Sequence, residues 1–148
     1  GIAGHTNVSF QNNILLANDA FQCLRYDAST VTFAAHNYNS YINRLSDFSW
    51  VVGFNGGTTY NKADIPTWES NSITSEPLLV SEGVPYQATN FQLQFTSPAK
   101  NAGVALSPTF TDKAGVIRPQ DGAWDIGAYE FLQTMSAPAH LTIFLGIP

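Results

Sequence analysis

The chain has 148 residues, 44% hydrophobic and only 11% charged, with a formal net charge of −5. That length suits one domain with a sizeable core, and 6 basic against 11 acidic residues exclude the Lys/Arg stripe that nucleic acid or an anionic membrane surface requires. No apolar run approaches the roughly 20 residues needed to span a bilayer.

Short strand-like runs punctuated by Asn or Gly follow one another along the chain. Asn7-Val8-Ser9-Phe10 leads through Gln11-Asn12-Asn13 to Ile14-Leu15-Leu16. Val31-Thr32-Phe33 precedes the corner His36-Asn37-Tyr38-Asn39, and Trp50-Val51-Val52-Gly53-Phe54 precedes Asn55-Gly56-Gly57. Val8, Val31 and Val51 recur at about 20 residues, a period that predicts a solenoid with one coil per repeat. β-Branched and aromatic residues supply the strands, while Asn and Gly tolerate the left-handed backbone of tight corners.

Asn61 to Glu69 predicts the one helix, with Ile65 and Trp68 three apart and Pro66 limiting it to about a turn. Further on, Glu76–Val80 reads as a strand start, Phe91–Phe95 alternates, and Leu141, Ile143, Leu145 and Ile147 predict a terminal strand. The expected division of this single domain is coils over about 1–75, a capping region over 76–131 and a tail strand over 132–148. Polarity comes from 12 Asn, 12 Ser and 13 Thr, which together with few charges suits an extracellular or cell-surface β protein. Cys23 has no intrachain partner, and the expectation is a buried, inert thiol.

Two stretches carry a family resemblance. Ser97, Pro98, Ala99, Asn101, Ala102 and Gly103 form the first element; Thr111, Asp112, Gly115, Arg118 and Pro119 follow, and the pattern closes with Asp125-Ile126-Gly127-Ala128-Tyr129-Glu130-Phe131. These resemble the C-terminal end of secreted, pectate-lyase-like right-handed parallel β-helix proteins, over roughly Asn7 to Phe131. The resemblance implies an all-β fold: a short right-handed parallel β-helix of about three coils with an irregular C-terminal cap and a terminal strand. Lys100 stands where an apolar residue is usual, and Ala114 where a second Asp would be. The second departure weakens the case for a cation in this loop; the expectation is no cofactor, with calcium as the alternative that no clear motif supports.

That group includes polysaccharide lyases, glycoside hydrolases and surface proteins, so the fold alone does not decide the chemistry. Arg25 and Asp27, two apart on a strand, are the weak catalytic candidates. Arg25 would be the base or would bind a uronate, against the alternative of a same-strand ion pair. Trp50, Tyr38 and Tyr41, with Arg25, are the carbohydrate-binding candidates, since aromatic faces suit sugar rings. Asp112, Arg118, Asp125 and Glu130 read as an ion-pair network pinning the last loops. His5, His36 and His140 have no metal-ligand spacing, and Asn7-Val8-Ser9 fits a glycosylation sequon.

The expected function is a noncatalytic C-terminal β-helix module of an extracellular protein that binds or processes polysaccharide. The first alternative is a subunit of a self-assembling oligomer or filament, joined through an uncapped N-terminal coil or the Leu141–Ile147 strand. The second is an intact polysaccharide lyase or hydrolase.

Overall fold

The computed structural model describes residues 4–18, 22–26, 31–44, 52–54, 59–83, 87–108 and 110–133. The chain is strand-rich with little helix. Strands β1 (His5–Gln11), β2 (Ile14–Ala17) and β3 (Leu24–Tyr26) are followed by β4 (Val31–Asn37), β5 (Ser40–Asn43) and β6 (Val52–Phe54). One helical turn, α1 (Ile65–Trp68), and one 3-10 turn, Ala88–Phe91, complete the elements. Pro66 sits in the first turn of α1, where its missing N–H costs nothing.

Each of the first three strands pairs with the third one after it, and always in parallel. β1 joins β4, β2 joins β5 and β3 joins β6, giving three two-stranded sheets. Ser9 faces Ala35 and Ile14 faces Ser40 at the same sequence offset, and Leu24 faces Val52 at a slightly longer one. The shorter spacing expected from sequence is therefore corrected. Val8 faces Phe33, not Val31, and the Val52 strand belongs with Leu24 instead of with Val31. The Val8 and Val31 runs share a sheet, but the similar Val51 run lies in another, because the neighbour of a strand lies three strands further on. A bridge from Ser40 to Ile73 adds one parallel contact beyond β5.

The corners align as the strands do. Asn12 and Tyr38, at corresponding corners, both take left-handed backbone, with φ of 59° and 57°, and the Asn12 N–H donates to Tyr38 O at 3.0 Å. Next to them the side-chain amide and backbone N–H of Asn13 both donate to Asn39 Oδ1 at 3.0 Å. At Asn12 a short amide side chain tolerates the left-handed region, while at the Tyr38 corner the flanking amides of Asn37 and Asn39 accept from the Tyr38 and Asn13 N–H groups.

Alternation along β2 divides the core in two. Leu15 packs with Phe10 and Leu24 on Tyr41, Val52 and Ile65. Ile14 and Leu16, pointing the other way, pack on Leu79, Leu93, Ala99 and Ile126. The C-terminal segment thus lies along the outer face of β2, while α1 buries Ile65 against Tyr41 and Val52. The Phe91–Phe95 run is not a full strand: it follows the 3-10 turn and contributes one antiparallel bridge, Leu93 to Leu79. The expected tail strand, Leu141–Ile147, falls outside the described residues.

Candidate functional site

Arg25 is exposed at the middle of β3, opposite Gly53, while Leu24 and Tyr26 turn inward. Its expected partner Asp27, and the sugar-binding candidate Trp50, lie outside the described residues. Tyr38 is half-buried at its corner. Tyr41 is corrected as a sugar-binding residue: it is only 1% exposed, and its hydroxyl donates to Glu69 Oε1 at 3.0 Å. Burial and that carboxylate push its phenol well above the ordinary range.

Glu69, which no local pattern singled out, is the hub of this region. Its fully buried carboxylate takes Tyr41 and His36 Nδ1 (3.3 Å) on Oε1, and the Asn39 amide (3.1 Å) and Ser72 hydroxyl on Oε2. The His36 ring stacks on Trp68 at 4.7 Å and 22°, and Trp68 stacks on Tyr60 at 5.6 Å and 21°. Both oxygens are saturated and the indole is engaged by protein rings, so the arrangement fastens α1 to the β4–β5 corner. Tyr41, Asn39 and His36 stand far from Glu69 in sequence, beyond any spacing motif.

The Asp112, Arg118, Asp125 and Glu130 side chains are all buried and brought together. Arg118 meets Glu130 at 3.1 Å and donates to the carbonyls of Asp125 (2.9 Å) and Gly127 (2.8 Å). Asp125 accepts from the Asn101 and Phe131 N–H groups, and Glu130 from those of Asp125 and Gln120. Asp112 accepts from Ala114, Val116 and Glu130. The carboxylates are consumed by backbone donors, which ties the surrounding loops to one another. Among the described residues no group of three or more His, Cys, Asp or Glu is placed to hold a metal ion, and no helix is long and apolar enough to cross a membrane.

Lys100 is largely buried. Its ammonium pairs with Asp121 at 3.0 Å and lies over the rings of Phe131 (4.6 Å) and Phe95 (5.1 Å). Its charge is met by a carboxylate and two aromatic faces.

The concavity that sequence reasoning missed runs along the outer face of β2. It measures about 480 Å³ and is lined by Asn12, Asn13, Ile14, Leu16, Leu79, Phe91, Gly127 and Ala128, a size typical of small-ligand sites. Phe91 is 41% exposed. Both hydrogens of the Asn13 amide are committed, to Gln11 O and Asn39 Oδ1. The groove forms from residues as far apart as Asn12 and Ala128, and only the Asn pair and the alternation at Phe91 hint at it in sequence. Comparison with protein families, curated proteins and solved structures returned no match.

Cys23 is away from this groove. Its thiol donates to Ile42 O at 3.1 Å, and burial pushes it up to about 11. Relative to an ordinary thiol at 9.0, the thiolate fraction at pH 8 falls about 100-fold. Labelling by an aromatic disulfide reagent at pH 8 is expected to be slower by about that factor, whereas complete reaction within mixing time would contradict the placement.

Proposed function

We propose that the chain is a right-handed parallel β-helix module of an extracellular protein, and that it holds polysaccharide in the groove along the outer face of β2. The observation that carries the fold reading is the parallel pairing of each of the first three strands with the third one after it, at nearly constant offset. Such pairing is what stacked three-strand coils produce. The groove supplies what a sugar ring needs: an apolar floor from Ile14 and Leu16 and a partly exposed aromatic wall at Phe91. The capping elements Ser97–Gly103 and Asp125–Phe131 support the same family resemblance.

The reading is tested by electrophoresis of the chain through gels containing different polysaccharides. At least one glycan should retard it, and Phe91→Ala should weaken that binding about tenfold, or about 1.4 kcal/mol. Because Phe91 is partly exposed, this variant should unfold close to the parent. Retardation by none of a broad panel would reject the proposal.

One observation favours a second reading, assembly with another chain. Among the described residues β1, β2 and β3 each pair on one edge only, and unpaired edges template further pairing. Light scattering across a concentration series decides it. A mass that grows with concentration supports assembly, and a constant mass of 16.1 kDa opposes it.

A further inference from the structure

Resting on the polysaccharide-binding reading above, we infer that the groove selects neutral glycans and rejects polyanionic ones. All 6 Lys and Arg residues fall among the described residues, so the position of each can be compared with the groove. Arg44 is clamped by Glu76 and Glu82, Lys100 by Asp121, and Arg118 by Glu130. Arg25 and Lys62 are exposed, one on β3 and one ahead of α1. None of the six lines the groove.

Two basic residues do approach it. Arg118 reaches Gly127 O from behind, at 2.8 Å, but is 6% exposed with its charge met by Glu130. Lys113 is exposed, and its backbone N–H donates to Ala128 O at 2.9 Å, which brings this residue's main chain to one end of the groove. A polyuronate carries a carboxylate on every ring, each needing a cation or a set of donors. One lysine at one end does not supply that, and a chain of net charge −5 repels a polyanion at low salt.

A neutral ring meets none of these penalties. Its C–H face can lie on Phe91, Ile14 and Leu16. Arg25, the sequence candidate for uronate recognition, stands on β3 and has no share in the lining.

The test titrates the whole chain with soluble neutral glycans (a mixed-linkage glucan and a mannan) and with acidic ones (polygalacturonate and alginate), at about 20 and 200 mM NaCl. The expected result is binding to a neutral glycan that changes less than about twofold with salt, acidic glycans binding at least about tenfold more weakly. Phe91→Ala should lose most of the neutral binding, and Lys113→Ala should retain it. Tighter binding of an acidic glycan that fades with salt and is lost in Lys113→Ala would overturn the inference while leaving polysaccharide binding intact. Neutral binding indifferent to Phe91→Ala would overturn the groove as its location. Binding of neither class would overturn the inference and the polysaccharide reading together.

Discussion

Glu69→Ala is expected to cost about 3–5 kcal/mol of stability, the range for breaking a buried charged network. The carboxylate gathers Tyr41, His36, Asn39 and Ser72 at one point, and truncation leaves buried donors without acceptors, which costs more than the bonds themselves contribute. Glu69→Gln keeps the volume but turns an amide N–H₂ towards two donors, so it should recover only part of the loss. Tyr41→Phe removes one bond and should cost about 1–2 kcal/mol. Urea denaturation followed by tryptophan fluorescence measures all three, because Trp68 stacks on His36 within the same network. A loss below about 1 kcal/mol for Glu69→Ala would show that the network does not hold α1 in place.

Arg118→Ala should be comparably damaging, at about 3–5 kcal/mol. The guanidinium offsets Glu130 and two inward carbonyls, and its removal leaves buried carboxylates uncompensated. Burial already holds Asp125 and Glu130 above the usual carboxylate range, by desolvation first. A carboxyl whose folded-state pKa is raised binds its proton more tightly in the folded state, so acid favours folding through that group. The deficit of Arg118→Ala is therefore largest near neutral pH and narrows as pH falls through the raised values of the two carboxyls. A deficit that widens on acidification would contradict this placement of charge. Thermal melts of parent and variant at a series of pH values give the answer.

The strands legible in sequence are those built from β-branched and aromatic residues between Asn-rich corners: β1, β2, the start of β4 and the whole of β6. Local pattern does not say which strand lies beside which, and the Val31 and Val51 runs suggest neighbours only because they look alike. β5 escapes the pattern, since Ser40-Tyr41-Ile42-Asn43 is nearly all buried and shows no alternation of polar with apolar. Phe91–Phe95 alternates, yet the 3-10 turn before it and Ser97-Pro98 after it leave room for a single bridge.

The four residues of the Arg118 cluster can be named from sequence because they lie close together in one stretch of the chain. The groove cannot, because Asn12 and Ala128 meet only after the C-terminal segment has folded along β2. Tyr41 illustrates the limit of residue type: the same ring that could carry a sugar is buried as a donor to Glu69.

The proposal that polysaccharide binds in the groove of β2 can be tested residue by residue, in the amide NMR shifts of the chain during titration with a neutral oligosaccharide. Shifts should concentrate at Asn12, Asn13, Phe91, Gly127 and Ala128, with the amides around Glu69 and Trp68 unmoved. Shifts confined to the α1 end, or no shift at any residue, would contradict it.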